Sequence, residues 1–496
     1  MSAAAHNPMG GVSTLAPDVA ETHSGLVFFV GDRAYKLKKP VDLGFLDFRT
    51  REAREVACHR EVALNSRLAP DVYLGVSDVL DPSGSPCDHL VVMRRMPADH
   101  RLSALVEAGV DVGDQLDELA QLLARFHDAA ERSTAADRAA GVDALHDRWS
   151  TNTAELRPFI GRLLPADAVD AVQALASRYL AGRRPLLERR VADGRARDGH
   201  GDLQADDIFC LHDGPRVLDC LEFDDGLRLD DVLADVCFLA MDLERLGRPD
   251  LAERFLSAYG DRARDSWPSS LAHHHIAYRA QVRAKVSAIR ADQGVAGSAK
   301  KAEALLGLAR RHLDAGRIRL ILVGGLPGTG KSTLAAGVGK ALDAVVLRSD
   351  VVRKELAGLP SGAAAAAAFR EGIYTPELTM ATYRELLRRA ELAVAAGESV
   401  VVDASWSDVT SRRDARRAAD RTFSDIVELR CAAPPEVAAT RMRARSQRGT
   451  DPSDADAGTA AVMAGEYHPW PTAISIDTVP DPEHVLRAAL LLISSS

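Results

Sequence analysis

The sequence predicts two unlike units in tandem, a mixed α+β half followed by an α/β half with a doubly wound parallel sheet. Three observations predict it. Up to about residue 98, short strand-like runs surround one helical stretch, and from 101 to about 313 the period is helical apart from two short strand-like segments. After residue 316, apolar strand-like runs alternate with helical stretches, the pattern of a sheet wound from βα units. A chain of 496 residues is also too long for one hydrophobic core.

Taken in order, residues 1–20 read as a disordered or extended lead-in. Residues 25–38 read as a hairpin, in which Leu26-Val27-Phe28-Phe29-Val30 and Ala34-Tyr35-Lys36-Leu37-Lys38 flank a Gly31-Asp32 turn. A helix over 50–67 and strands over 72–79 and 90–96 complete a small, mostly antiparallel lobe, 21–98. The helical lobe, 99–312, carries two strands near 208–211 and 217–223 and a glycine break at 292–298. Ala315-Gly316 ends its last helix, and the third segment is 316–496, with strands expected at 318–323, 344–347, 399–402 and 426–429. The alanine run 363–368 reads as a helix start or a mobile loop, and no tandem repeat relates the halves.

Bulk properties narrow the function. Net charge is −9 and aromatics are only 5%, which argues against a general nucleic-acid binder, because phosphate contacts need a basic surface. The excess acid lies before residue 316; beyond it the charges balance. The six cysteines, at 58, 87, 210, 220, 237 and 431, have no CxxC spacing and read as reduced core thiols. Residues 1–20 lack the basic and apolar blocks of a signal peptide, and no apolar run is long enough for a bilayer, so a cytoplasmic protein is expected.

The sharpest motif is Gly325-Leu326-Pro327-Gly328-Thr329-Gly330-Lys331-Ser332-Thr333, set between an apolar strand and a helix. Glycines let backbone N–H groups turn inward around phosphates, and the following helix presents its positive end. Lys331 is placed to reach the β- and γ-phosphates of ATP, and Ser332 to hold Mg²⁺. Two further strand ends carry acids, Asp350 with Arg353 one turn later, and Asp403. Ligands sit at the carboxyl ends of strands in open α/β sheets, so both acids are expected to flank the loop. One would take the acceptor hydroxyl's proton and one would hold metal or substrate, each competing with service as a helix cap. Arg441, Arg443, Arg445 and Arg448 cluster on a later helix, where a guanidinium could neutralise the transferring phosphoryl group or be a solvated face.

Together GLPGTGKST at 325–333, SDVVRK at 349–354, VVVDASWSD at 400–408 and the arginines followed by DPSDA at 451–455 resemble the P-loop kinases that include gluconate kinases, zeta toxins, chloramphenicol phosphotransferases and the 5′-kinase domain of polynucleotide kinases. The resemblance covers about 316–496. It implies Asp350 as general base and Arg353 as a holder of the acceptor. Tyr467-His468-Pro469-Trp470 matches no part of that mechanism.

The second informative stretch is His200-Gly201-Asp202-Leu203-Gln204-Ala205-Asp206-Asp207, ahead of a strand pair whose second member runs into Glu222-Phe223-Asp224. Acids so placed suit phosphoryl transfer, with one orienting an acceptor hydroxyl and others holding Mg²⁺. The stretch resembles the catalytic loop of the aminoglycoside phosphotransferase family, which shares the protein-kinase fold. That resemblance implies Lys36 on the α- and β-phosphates, Glu61 as its ion-pair partner, and 91–93, with Met93, as the hinge beside adenine. It makes Asp202 the catalytic carboxylate and Asp207 and Glu222 the metal ligands. Two departures stand out: Asp207 replaces the family's asparagine, and Glu222 replaces an aspartate, with Asp219 and Asp224 nearby as substitutes. The glycine-rich loop is reduced to Thr22-His23-Ser24-Gly25. His273-His274-His275 point in different directions on a helix and are expected to pack, not to bind metal.

The expected function is an ATP-dependent phosphotransferase with a small hydroxylated acceptor, Mg²⁺, a P-loop site and a second, diverged site. The alternatives are a single P-loop kinase whose N-terminal half regulates it or binds substrate, a nucleic-acid 5′-end kinase, and a nucleotide switch. Acidity counts against the nucleic-acid kinase, and the Asp350–Arg353 pair against the switch. Neither acceptor nor oligomeric state can be read from the residues.

Overall fold

The computed structural model describes residues 18–21, 25–42, 47–360, 372–448 and 457–495. Thr22–Ser24, the alanine run and the 451–455 segment lie outside these, as does the side chain of Arg445. Contacts divide the chain into two compact units, one from the described parts of Met1–Ala136 with Arg197–Asp265, the other from Asp137–Ala196 with Ser266–Ser496. This grouping cuts through the helical lobe read as 99–312.

In the first unit, β1 (Asp18–Glu21), β2 (Gly25–Val30), β3 (Arg33–Lys38), β4 (Tyr73–Leu80) and β5 (Pro86–Arg94) form an antiparallel sheet in the order β1-β2-β3-β5-β4. Helix α1 (Arg51–Asn65), whose first turn is capped by the Thr50 hydroxyl, packs on β4 and β5. Met93 lies inside β5 opposite Ala34, with its side chain in the core beside Tyr73 and Cys58. β5 runs on to Arg94, so Met93 is the next-to-last residue of the strand. The strand expected at 217–223 is displaced. The pair is β6 (Ile208–Leu211) with β7 (Gly214–Val217), and the chain leaves extended geometry at Asp219, whose φ is +81°.

In the second unit, β8 (Arg319–Gly324), β9 (Val345–Arg348), β10 (Val400–Asp403), β11 (Asp425–Ala432) and β12 (Ile474–Asp477) form an all-parallel sheet ordered β9-β10-β8-β11-β12. Leu320, Ile321, Leu322 and Val323 are all buried, as a central strand covered on both faces requires. The fifth strand, β12, was not anticipated, because four residues with only two apolar side chains give little signal. Helices Lys331–Ala341 and Pro482–Ser495 cover one face through Leu334, Val338, Val485 and Ile493.

Helices Ala166–Gly182 and Ser269–Asp292 belong to this same unit. The Ser270 hydroxyl donates to the Gly397 carbonyl at 2.7 Å, and Arg183, 1% exposed, donates to the Thr422 carbonyl at 3.2 Å. Arg178 donates to the Ser424 carbonyl at 2.9 Å. His274 stacks on Tyr179 with centroids 4.6 Å apart and accepts from the Trp149 indole N–H. Burial pushes its pKa far below the usual histidine value, so it packs as a neutral ring.

Candidate functional site

The phosphate loop joins β8 to helix Lys331–Ala341. Gly325 has φ +140°, and a Cβ there would lie 2.6 Å from the Cys431 carbonyl oxygen. At Gly328, φ +79°, a Cβ would meet the Ala438 carbonyl at 2.5 Å, so both positions demand glycine on conformation and on space. Inside the loop, the Thr329 hydroxyl donates to the Leu326 carbonyl at 2.8 Å. Thr478, just past β12, donates to the Thr329 carbonyl at 2.7 Å and accepts the Arg441 guanidinium on its own carbonyl at 2.6 Å. Thr478 thus braces the loop and seats Arg441; nothing in the sequence pattern marked it.

Asp403 ends β10 beside the loop and is 3% exposed. The Ser332 hydroxyl bonds to its carboxylate, Arg348 Nε stands 3.4 Å from Oδ2, and buried Oδ1 has no hydrogen-bond partner. Burial raises its pKa, against the opposing pull of Lys331, Ser332 and Arg348. A buried carboxylate oxygen without a donor, next to a hydroxyl at a helix N-terminus, is a donor set that fits a hard divalent cation.

Two clefts meet at Lys331. One, about 590 Å³, lies between Gly328, Gly330, Ser332, Thr333, Arg441 and Thr478. The other, about 910 Å³, holds Ser349, Asp350, Arg353, Tyr383, Ser405 and Ser407. Arg353 is buried; it donates to Thr379 Oγ1 at 2.8 Å and lies over the Tyr374 ring. The floor of the larger cleft is the 404–408 loop, in which Trp406 is fully buried at φ +49° and the Ser405 carbonyl accepts from Gly325 N.

Arg412, 2% exposed, donates to the carbonyls of Trp406, Ser407, His468 and Pro469 and lies 4.8 Å from the Trp470 ring centroid. Trp470 in turn packs on Gly324. The Tyr467–Trp470 segment is therefore a clamp on that floor.

In the first unit, Lys36 Nζ bonds Glu61 Oε1 at 2.7 Å and Asp219 Oδ1 at 3.1 Å. A second lysine on the same face of β3, Lys38, takes the other Glu61 oxygen at 2.7 Å and Glu222 at 2.8 Å. Burial alone would raise the Glu61 pKa, but the two ammonium groups hold it below its ordinary value. Asn65, at the end of α1, accepts from the backbone N–H of both Asp219 and Cys220 at 2.8 Å. The helix bearing Glu61 is thereby tied to the loop bearing Asp219.

Among the acids, the structure gathers Asp219, Asp202 and Asp206 around Asp207. Burial and these three neighbours, Asp219 foremost, drive the Asp207 pKa well upward, while Lys36 holds that of Asp219 down. Glu222 stands apart, on Lys38; its longer side chain three residues past Asp219 reaches the second lysine. The His200-Gly201 turn is fixed by Asp235, whose carboxylate accepts from both backbone N–H groups at 2.8 Å and from His127 Nε2 at 3.0 Å. Those bonds keep Asp235 ionised despite burial. Asn65, Lys38, Asp219 and Asp235 are the residues that motif reading missed or ranked second.

Residues 19–269 match the model of the phosphotransferase enzyme family, and residues 320–469 match that of an AAA domain. Uncharacterized proteins of Mycobacterium tuberculosis and Mycobacterium bovis are 44% identical over 480 residues, covering 95% of this chain and 96% of theirs. Among solved structures, a gluconokinase from Sinorhizobium meliloti is 18% identical over 36% of this chain and 95% of its own, with a TM-score of 0.27. A choline/ethanolamine kinase family protein from Mesorhizobium loti is 16% identical over 60% of this chain and 88% of its own, with a TM-score of 0.39. Among the described residues, no helix is long and apolar enough to cross a membrane.

Proposed function

For a chain that belongs to the phosphotransferase enzyme family, we propose transfer of the γ-phosphate of ATP to a small hydroxylated molecule at the P-loop unit, with a second nucleotide site in the first unit. One observation carries the reading: Lys331 lines both clefts. A nucleotide in the smaller cleft has its terminal phosphate at the mouth of the larger one, where Asp350 and Arg353 wait.

In this reading the backbone N–H groups of Gly328, Gly330 and Thr333 cradle the phosphates, Gly325 and Thr329 shape the loop through their own bonds to Ser405 and Leu326, and Lys331 neutralises the β- and γ-oxygens. Ser332 and Asp403 hold Mg²⁺, which supplies charge neutralisation on the nucleotide when bound. Asp350 accepts the proton of the acceptor hydroxyl as its oxygen bonds to the γ-phosphorus and the bond to the β–γ bridging oxygen breaks. Arg353 orients the acceptor, and Arg441, with Arg445 as a further candidate, offsets charge on the transferring group.

In the first unit, Lys36 with Glu61 serves the α- and β-phosphates and Asp202 orients an acceptor hydroxyl. The gathering of acids favours Asp207 with Asp219 as the metal pair there, leaving Glu222 to hold Lys38. The protein is read as cytoplasmic.

The test is transfer from γ-³²P-ATP into a deproteinised bacterial small-molecule extract, with Lys331→Ala and Asp202→Ala variants. Two active sites predict that each variant removes a different part of the labelled products. If Asp202→Ala leaves every product intact while Lys331→Ala removes all of them, the first unit is not a second active site.

A further inference from the structure

We infer that the acceptor at the P-loop unit is an alcohol that also carries an anionic group, a carboxylate or a phosphate, and that Arg384 selects it; this rests on the reading of the larger cleft as the acceptor site. The inference comes from the balance of charge along its wall. Helix Pro376–Ala395 presents one face to the cleft, from Thr379 and Tyr383 through Arg384 to Leu387, Arg388 and Glu391. Its N-terminal half is the reactive end, because Thr379 holds Arg353 and the Tyr383 hydroxyl pairs with Ser405 Oγ at 3.0 Å.

At the far end the arginines are neutralised. Arg388 forks onto Glu385 at 2.7 and 2.8 Å, Arg421 pairs with Glu391, and Arg417 faces Asp414 at 3.8 Å. At the reactive end they are not. Arg384 is exposed and makes no hydrogen bond or ion pair among the described residues. Arg353 is 7% exposed, and its Nε is buried without a partner.

Of the carboxylates there, Asp408 is engaged in capping its own helix through Ser411, and Asp350 is assigned to the acceptor's hydroxyl. Glu466 also lines the cleft, but neither Arg353 nor Arg384 is ion-paired to it or to Asp350 or Asp408, so two guanidinium groups face the reactive end without a carboxylate partner among the described residues. A buried donor without an acceptor is costly, and planar guanidinium groups are matched by carboxylate or phosphate oxygens. The walls between them, Ser349, Thr379, Tyr383, Ser405 and Ser407, are hydroxyl-bearing and suit the remaining hydroxyls of such a molecule.

The experiment is anion-exchange analysis of the ³²P-labelled product formed by the full chain from γ-³²P-ATP and a bacterial small-molecule extract. The expected product elutes with more charge than the monophosphate of a neutral alcohol such as sorbitol phosphate. After phosphatase treatment, an acceptor still retained on the resin identifies a carboxylate, and one no longer retained identifies a phosphate. Arg384→Gln is expected to lower product formation at dilute extract about tenfold or more while leaving MgATP affinity unchanged, with Arg384→Lys recovering part of the loss. A product that elutes as the monophosphate of a neutral alcohol, or an Arg384→Gln rate equal to wild type, overturns the inference. Absence of any labelled organic product overturns the phosphotransfer reading itself, and the inference falls with it.

Discussion

Replacing Asp403 by Asn is expected to cut phosphate transfer at the P-loop unit by about 10²–10³ without lowering thermal stability. The two effects have one cause. Asp403 is buried, its Oδ1 has no donor, and burial raises its pKa, so the fold favours the protonated form. The sign follows from linkage: a carboxyl whose folded pKa is raised stabilises the fold fully below its unfolded pKa and loses that contribution as pH rises through the folded value. At neutral pH the ionised side chain therefore subtracts from stability, and a neutral isostere relieves the cost. The melting temperature of Asp403→Asn should equal or exceed that of wild type, while its Mg²⁺-dependent ATP affinity falls. A variant that loses stability and keeps activity would assign Asp403 a purely structural role.

The second large effect concerns where the P-loop unit ends. A fragment of residues 316–496 is expected not to unfold cooperatively, although a boundary at Gly316 looks natural from the sequence. The helices it omits fill the carbonyls of Gly397, Thr422 and Ser424 through Ser270, Arg183 and Arg178. Gly182 approaches Thr422 so closely that a Cβ would lie 2.2 Å from its carbonyl oxygen, and Gly397 would likewise meet Pro268 at 2.7 Å. Losing the three bonds to water costs about 0.5–1.5 kcal/mol each, and with the apolar face left exposed this consumes much of the roughly 5–15 kcal/mol that holds a domain folded. Differential scanning calorimetry of the fragment against the full chain checks this. A single sharp transition at the full-chain temperature would show that the fragment is autonomous.

How much the sequence revealed depended on how local each signal was. The phosphate loop was legible because its chemistry is confined to nine consecutive residues with an apolar strand before them. The Lys36–Glu61 pair came with the family resemblance, and the structure places the two side chains 2.7 Å apart. The choice between Asp219 and Glu222 was not, because it turns on the +81° φ at Asp219 and on Asn65, distant in sequence, binding two consecutive N–H groups. Lys38 was passed over because alternation on a strand makes i and i+2 equivalent, and only the two oxygens of Glu61 reveal that both lysines are used. Nothing in the sequence pattern marks Arg412. Its burial under Trp470 depends on a chain return that no periodicity encodes. The grouping of 137–196 with the P-loop unit escaped for the same reason, since helical period says which face is apolar and not what covers it.

The measurement that bears most directly on the central claim compares wild type with Asp350→Asn, following γ-³²P from ATP into organic product and, in parallel, MgATP binding. Asp350→Asn is expected to bind MgATP as wild type does and to form labelled product at least about 10²-fold more slowly, because only the acceptor's proton has lost its destination. Label that appears only as inorganic phosphate with the wild type, or an Asp350→Asn variant that transfers label at the wild-type rate, would contradict it.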